Sequence, residues 1–145
     1  MLRSEHALVT MADVDAAGII YFATPLRWAE RMSTGWLNEI GHSLTSMFAA
    51  GVTIPAVAVQ VEYRSQLTLD DQVRLELSAE AVGTTSFTLR CEGFVGDAAT
   101  AAVCSRTTHV YTRFTNPALG GEGAAKEPVP DWLRTALTAD LPACR

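Results

Sequence analysis

The stretch MADVDAAGIIYFATPLRWAERM, residues 11–32, places two aspartates directly ahead of a helix. Asp13 and Asp15 lie in a short segment with alanines and a glycine, which is typical of a loop. Pro25 follows at a position that favours the first turn of a helix, where the missing N–H of proline would have no partner in any case. The stretch therefore predicts a loop that carries carboxylates to the N-terminus of a helix.

The predicted helix runs from Pro25 to Ile40, with Thr24 as its N-cap and Gly41 as its stop. Its apolar residues recur every three to four positions, as expected of a helix that buries one face. These residues are Ala29, Met32, Trp36, Leu37 and Ile40. At 1.5 Å per residue the helix is about 24 Å long, so it needs an extended apolar surface as a partner. A short turn or helix is expected next, around residues 44–50.

The remainder of the chain alternates apolar and polar residues with a period of two, which predicts strands with one covered face. One strand precedes the loop, at residues 5–12. Four more are expected after the helix, at about 57–63, 72–81, 87–92 and 99–114. Turn signals at Asp70-Asp71, Gly83 and Gly96-Asp97 make the connections short, which favours antiparallel neighbours. The pattern predicts an α+β fold in which the sheet curls around the helix.

Two regions are expected along the chain. Residues 1–115 contain all the predicted strands and the long helix, and form one domain. Residues 116–145 are expected to be a flexible tail rich in Gly, Pro and Ala, with a short helix over Asp131 to Thr138.

Composition excludes several classes of function. The net charge of −5 argues against nucleic acid as a partner, because phosphate binding needs a concentrated basic face. No window approaches the roughly 20 apolar residues of a membrane span, and the N-terminus resembles no signal or transit peptide. Cys91, Cys104 and Cys144 have no paired spacing, which indicates a reducing compartment. We therefore expect a soluble cytoplasmic protein that binds neither nucleic acid nor a membrane.

The segment DVDAAGIIYFATPLRWAE resembles the signature of the 4-hydroxybenzoyl-CoA thioesterase family of hotdog-fold proteins. The resemblance covers about residues 5–115 and includes the strand PAVAVQV that follows the helix. It implies an α+β single hotdog domain, with a five-stranded antiparallel sheet wrapped around one long central helix. It also implies an acyl-CoA thioesterase without a cofactor, assembled as a homodimer or as a tetramer built from dimers, with the active site between subunits.

The same resemblance implies the site residues. Asp15 is the expected catalytic carboxylate, and the backbone N–H of Phe22 the expected oxyanion donor. Such an arrangement is chemically sensible, because N–H groups at a helix N-terminus stabilise the negative charge that thioester hydrolysis places on the carbonyl oxygen. A carboxylate nearby can attack the carbonyl carbon or activate a water molecule. Substrate contacts are expected at Gly18, Tyr21, Ala23, Thr24 and Glu30. Gly18 is expected to allow close approach of the loop, and Tyr21 and Phe22 to provide apolar walls.

Other interpretations of these residues remain open. Asp15 is also a common turn residue that bonds its own backbone, and Asp13 is better explained as a structural cap at the end of a strand. A calcium loop is excluded because the positions after Asp15 lack oxygen ligands, and the dispersed histidines predict no metal site. Glu30 is more simply a solvated or ion-paired helix residue, although hotdog thioesterases of another branch have a catalytic glutamate there.

The thiol carrier is a further open question. Members of the family often have basic residues ahead of the fourth strand that meet the phosphates of coenzyme A, but here that turn reads VGTTSF, residues 82–87. If coenzyme A is the carrier, Arg64, Arg90 or Arg106 must supply the charge. The alternatives are an acyl carrier protein as the thiol donor, in polyketide or fatty-acid metabolism, or a non-catalytic hotdog domain that binds an acyl thioester. The acyl group itself is expected to be aromatic or otherwise bulky.

Overall fold

The computed structural model describes residues 1–114 and 124–141. They form three helices and eight strands, in this order along the chain: β1 Arg3–Leu8, α1 Thr24–Glu39, α2 Leu44–Ala49, β2 Val52–Thr53, β3 Ala56–Tyr63, β4 Gln72–Val82, β5 Ser86–Val95, β6 Val103–Val110, β7 Thr112–Arg113, β8 Ala125–Lys126 and α3 Asp131–Thr138. In this part of the chain no helix is both long and apolar enough to cross a bilayer.

Five strands form one antiparallel sheet in the order β1-β4-β5-β6-β3. The predicted five-stranded antiparallel sheet around one long helix is therefore confirmed. The last predicted strand is divided, because β6 ends at Val110 and β7 leaves the main sheet to pair with β2 and β8. The chain thus adds a small three-stranded sheet that the alternation alone did not predict.

The core lies between α1 and the concave face of the sheet. On α1, Met32 and Trp36 are buried, as the helical spacing predicted, and Trp28 is buried as well. They meet the inward residues of β4 and β5, whose alternate positions are buried almost without exception. Burial of each large apolar side chain contributes roughly 1.5–3 kcal/mol to the free energy of folding, so this contact fixes the helix against the concave face of the sheet.

The start of α1 differs from the prediction in one respect. Thr24 is not the N-cap: Ala23 occupies that position, with no side-chain hydrogen bond to the helix. Thr24 is instead the first helical residue and is fully buried. Its hydroxyl donates to the Asp13 carbonyl oxygen at 3.0 Å and accepts a hydrogen bond from Arg27 Nη2 at 2.7 Å. The expected stop at Gly41 is present, with φ +81° just beyond the helix.

The C-terminal helix α3 lies over the same residues as expected, Asp131–Thr138. Leu133 and Leu137 are fully buried in the same hydrophobic cluster as α1. Asp140, just after α3, accepts a hydrogen bond from the Ala79 N–H at 2.8 Å, at the irregularity in β4. The flexible tail was predicted over residues 116–145, of which 116–123 and 142–145 lie outside the described residues.

The two edges of the main sheet are β1 and β3. Strand β3 is exposed along most of its length in the single chain, and its apolar Val57 and Val59 are 59% and 55% exposed. Among the described residues no strand pairs with its outer side. An apolar edge of this kind is normally covered by another chain.

The buried Thr24 hydroxyl generates a prediction about stability. Thr24→Val keeps the side-chain volume but removes the hydrogen bond to the Asp13 carbonyl and the acceptor for Arg27. We expect the free energy of unfolding, measured by urea denaturation, to fall by about 1 kcal/mol. Thr34→Val is the matched control on the same helix. It removes only an exposed hydrogen bond to Glu30, so its effect should stay within about 0.5 kcal/mol. Equal effects of the two changes would contradict the anchoring role of Thr24.

Candidate active site

A cleft of about 550 Å³ opens where the loop before α1 meets the end of β3. It contains the predicted residues Asp15, Tyr21 and Phe22, and it is completed by residues from the loop and from the segment after β3. These are Ile19, Ile20, Tyr63, Arg64, Ser65 and Gln66.

Asp13 stabilises the conformation of the loop. Its Oδ2 accepts hydrogen bonds from the Thr10 N–H at 2.9 Å and from the Thr10 hydroxyl at 2.8 Å. Its carbonyl oxygen accepts from the Tyr21 N–H at 2.8 Å as well as from Thr24. The structural interpretation of Asp13, just after the first strand, is therefore the one that its contacts support.

Asp15 lies exposed at the cleft. Its Oδ1 accepts a hydrogen bond from the Ala17 N–H at 2.8 Å, and its backbone is bonded to Ile19 and Gly18. The turn interpretation thus accounts for one carboxylate oxygen. Within residues 1–114 and 124–141 no donor reaches Oδ2, so this oxygen is available to a water molecule or a substrate. The turn fixes the direction of the carboxylate without occupying both of its oxygens.

Gly18 has a backbone conformation that favours glycine, while the expected close approach to a substrate stays a prediction. Its φ is +75°, in the left-handed region that glycine adopts without strain. A Cβ built at this position would meet no atom within 4 Å in the single chain. The backbone turn, and not close approach of the loop to a neighbouring group in this chain, explains the glycine.

Phe22 and Ala23, the two residues directly before α1, each have a backbone N–H group. Among the residues that the structure describes, none accepts a hydrogen bond from the N–H of Phe22 or of Ala23. The carbonyl groups of both peptide units do accept: the Tyr21 oxygen from the Thr24 N–H at 2.9 Å, and the Phe22 oxygen from the Tyr63 hydroxyl. A hydrogen bond to the carbonyl of a peptide polarises its N–H. Together with the helix dipole, this makes both N–H groups good donors to an oxyanion.

Tyr21 and Phe22 form an exposed aromatic pair at the cleft, with their ring centroids 4.6 Å apart. Phe22 is 66% exposed. Exposed aromatic side chains at a cleft are typical of binding sites, because water is displaced when a ligand or a partner covers them.

The three candidate arginines occupy different places. Arg64 lines the cleft, with Nη2 2.8 Å from Glu62 Oε2. Hydrogen bonds from Arg64 and then from Arg106 lower the pKa of the Glu62 carboxyl below its ordinary value. Arg106 also contacts Glu80, and Arg90 contacts Glu92; neither lines this cleft. Of the three arginines, only Arg64 therefore lines the cleft that contains Asp15.

The VGTTSF turn does receive a positive charge, from a residue that the sequence did not suggest. Arg134 of α3 reaches the turn and donates from Nη2 to the Gly83 carbonyl oxygen at 2.8 Å. The turn itself contains no Lys or Arg, and the charge beside it comes from α3, which folds back against the turn.

The remaining predicted residues lie around the cleft and not in it. Ala23 is the N-cap of α1, and the Thr24 side chain is buried behind the loop. Glu30 lies two turns along the helix, where its Oε1 accepts from the Thr34 hydroxyl at 2.9 Å. It borders a separate cavity of about 200 Å³ between α1 and the sheet. The sequence interpretation missed Tyr63, Ser65 and Gln66, since strand alternation predicts the face of a residue but not its tertiary neighbour.

Comparison with known proteins identifies the family of this chain. The profile of the thioesterase-like superfamily matches residues 9–137. A 1,4-dihydroxy-2-naphthoyl-CoA hydrolase from Thermosynechococcus vestitus is 30% identical over 142 residues, which cover 93% of this chain and 90% of the relative.

Solved structures show the same fold. The dynemicin thioesterase superimposes with a TM-score of 0.83 at 18% identity, over 97% of this chain and 98% of that one. A 1,4-dihydroxy-2-naphthoyl-CoA thioesterase from Synechocystis does so with a TM-score of 0.79 at 22% identity, over 93% and 94%. The resemblance to hotdog thioesterases is thereby confirmed, and the chain belongs to the thioesterase-like superfamily.

Proposed function

We propose that this chain hydrolyses an aromatic acyl-CoA thioester to the free acid and coenzyme A. The observation that carries the proposal is the meeting, in one cleft, of the Asp15 carboxylate with Phe22, whose N–H has no acceptor among the described residues. A screen of thiol release from aromatic, short and long acyl-CoA esters, with acyl-carrier-protein esters alongside, tests it. Preferred hydrolysis of aromatic CoA esters is the expected result.

The proposed reaction begins with the thioester carbonyl oxygen directed at the N–H groups of Phe22 and Ala23. Either Asp15 attacks the carbonyl carbon and forms an anhydride that water opens, or it removes a proton from the water that attacks. In both routes negative charge develops on the carbonyl oxygen, where the two N–H groups stabilise it. In the first route the C–S bond breaks as the anhydride forms, before water opens it; in the second it breaks from the tetrahedral intermediate that water forms. In both routes the coenzyme A thiolate leaves and takes up a proton.

The aromatic acyl group is supported by two independent observations. Relatives that cover most of this chain are named as 1,4-dihydroxy-2-naphthoyl-CoA hydrolases. The cleft also presents the exposed rings of Tyr21 and Phe22, and aromatic rings attract a planar acyl group by stacking.

We propose a homodimer joined through the β3 edges, or a tetramer built from two such dimers. Pairing two copies of β3 about a two-fold axis makes them antiparallel and would cover Val57 and Val59. The end of β3 lies at Asp15's cleft, because Tyr63 bonds Phe22. Antiparallel pairing would therefore bring the opposite end of the neighbouring sheet towards this cleft.

The same assembly suggests how coenzyme A is held. Arg64 lies in the cleft itself, and the turn at Gly83 with Arg134 lies at the other end of the sheet. In the proposed dimer this turn would approach the cleft of the neighbouring subunit. Phosphates are costly to desolvate without cationic partners, so both arginines are candidates for the phosphates of coenzyme A.

We also propose a cytoplasmic location. Cys91 and Cys104 are free thiols, and burial raises the pKa of Cys91 to about 12, so this thiol stays protonated and inert. Structural use of unpaired, buried cysteines fits a reducing compartment. Cys144 lies outside the described residues.

The proposed roles of the two aspartates predict opposite effects. Asp15→Asn should lower kcat for an aromatic acyl-CoA by at least ~10²-fold, because it removes the nucleophile or base, with little change in KM or in stability. Asp13→Asn should affect the rate less and the free energy of unfolding more, because Asp13 bonds Thr10. Steady-state kinetics and urea denaturation of both variants provide the measurement. Near-normal turnover of Asp15→Asn would reject the assignment and direct attention to Glu30.

The dimer is tested by static light scattering at micromolar concentration. We expect a mass of two or four 15.6 kDa chains. Val57→Asp places a charge on the apolar edge and should shift the mass towards one chain, with loss of activity. Leu44→Asp, at an exposed position of α2, is the control and should leave the mass unchanged. A fully active wild-type protein with the mass of a single chain would contradict the proposal.

Arg64→Ala is predicted to raise KM for an acyl-CoA several-fold with kcat nearly unchanged, because a phosphate contact is equal in the ground and transition states. The change should not affect an acyl N-acetylcysteamine thioester, which has no phosphates. Arg90→Ala, on the outer face of the sheet, is the control. Two results together would contradict coenzyme A as the thiol carrier: changes at Arg64, Arg106 and Arg134 that all leave KM unaltered, and a ten-fold or greater preference for an acyl-carrier-protein ester. The thiol carrier would then be an acyl carrier protein.

A further inference from the structure

The hydroxyl of Tyr63 donates a hydrogen bond to the carbonyl oxygen of Phe22. Tyr63 is the last residue of β3 and lines the cleft that contains Asp15. The carbonyl group that it contacts belongs to the peptide unit between Phe22 and Ala23. The N–H of that unit has no acceptor among the described residues. A side chain of the sheet therefore bonds a peptide unit whose N–H belongs to the proposed oxyanion site.

The local sequence leaves the Phe22 carbonyl oxygen to Tyr63. In a helix this oxygen would accept from the N–H four residues on, or in a tighter turn from the N–H three residues on. The residue three positions on is Pro25, which has no N–H, and the Leu26 N–H donates to the Ala23 carbonyl oxygen at 3.1 Å. In the part of the chain that the structure describes, the Tyr63 hydroxyl is thus the one donor to the Phe22 carbonyl oxygen.

The position of Tyr63 is itself fixed by strand pairing. Up to this residue β3 pairs with β6, and Tyr63 lies opposite Val103. Directly after it, the N–H groups of Arg64 and Ser65 both donate to the Ala102 carbonyl oxygen, at 2.8 and 3.1 Å. The hydroxyl therefore acts from a rigid element, and it fixes the plane of a peptide unit that the helix itself does not bond through the carbonyl.

The contact has two effects on the Ala23 N–H. It orients this N–H, because the carbonyl and the N–H of a planar trans peptide unit point in opposite directions. It also strengthens the N–H as a donor, because a hydrogen bond to the carbonyl polarises the whole unit. A phenol has a single proton, and that of Tyr63 is directed at Phe22, so it does not serve as the acid for the leaving thiolate.

We propose that Tyr63 is a positioning residue of the thioesterase reaction, whose hydroxyl directs the Ala23 N–H at the oxyanion and strengthens it through the Phe22 carbonyl oxygen. The inference rests on the proposed function and adds a residue of the sheet to a site built from the loop and the helix. An oxyanion donor stabilises the transition state more than the bound substrate, so loss of the hydroxyl lowers kcat and leaves KM nearly unchanged.

The contact requires a protonated phenol. Partial burial raises the pKa of Tyr63 above its ordinary value, so the hydroxyl keeps its proton at neutral pH. The other titratable side chains that line the cleft are Asp15 and Tyr21 of the loop and Arg64 at the end of the strand, while the neighbour on β6 is the apolar Val103. We therefore expect kcat to fall at alkaline pH as the Tyr63 phenol loses its proton.

The experiment measures hydrolysis of an aromatic acyl-CoA that the wild type cleaves. Tyr63→Phe retains the ring and should lower kcat about ten-fold with KM nearly unchanged. Tyr111→Phe, at a buried tyrosine outside the cleft, is the matched control and should leave kcat as in the wild type. Incorporation of 3-fluorotyrosine at position 63 makes the phenol more acidic, so the alkaline fall of kcat should begin at a lower pH. The same replacement at position 111 should leave the pH profile unchanged.

Three results would overturn the inference. The first is a Tyr63→Phe variant with the kcat of the wild type. The second is a raised KM with unchanged kcat, which would place Tyr63 in substrate binding. The third is a loss of kcat in Tyr63→Phe without any shift of the alkaline fall in the 3-fluorotyrosine protein, which would make the hydroxyl a support of the fold alone.

Failure of the proposed function is distinguished by the wild type. If the wild type hydrolyses no acyl thioester, the proposed function fails and the inference fails with it. If the wild type hydrolyses the ester and Tyr63→Phe does so equally well, only the inference is rejected.

Discussion

The carbonyl oxygen of Asp13 joins the loop to the helix, and the geometry of the cleft depends on it. It accepts from the Tyr21 N–H and from the buried Thr24 hydroxyl, while Arg27 bonds both Thr24 and the Ala12 carbonyl oxygen. These bonds fold residues 13–24 back on themselves. Asp15 is thereby held at the same cleft as the N-terminus of α1, which is itself fixed by the packing of its apolar face in the sheet.

The free N–H groups at this end of the helix follow from the same arrangement. A helix N-terminus leaves several N–H groups unsatisfied, and a side-chain cap often takes one of them. Here the N-cap is Ala23, whose methyl side chain cannot accept a hydrogen bond. The hydroxyl of the next residue, Thr24, bonds the loop and not the helix. The N–H groups of Phe22 and Ala23 therefore have no acceptor among the described residues, which is the arrangement that the proposed oxyanion site requires. The Thr24 N–H and the Tyr63 hydroxyl bond the carbonyl oxygens of Tyr21 and Phe22, and these hydrogen bonds polarise the peptide units that carry the two N–H groups.

Much of the fold follows from local pattern. Pro25 and Gly41 mark the ends of α1 to within two residues, and the alternation from Val73 to Ala79 predicts the buried face of β4. Thr24 was misassigned because its residue type favours an N-cap, whereas the position of its hydroxyl depends on a carbonyl group in the preceding loop. Arg134 could not be placed at the Gly83 turn, since only tertiary folding brings α3 there. The exposure of Val57 and Val59 in the single chain could not be predicted either, because alternation predicts a covered face without identifying what covers it.

The central claim is that the thioester carbonyl lies between Asp15 and the start of α1. A crystal structure of the Asp15→Asn variant with an intact aromatic acyl-CoA tests this most directly. The account predicts the carbonyl oxygen within about 2.7–3.1 Å of the Phe22 or Ala23 nitrogen, and residue 15 beside the carbonyl carbon. A thioester carbonyl bound beside Glu30, with the start of α1 unoccupied, would contradict it.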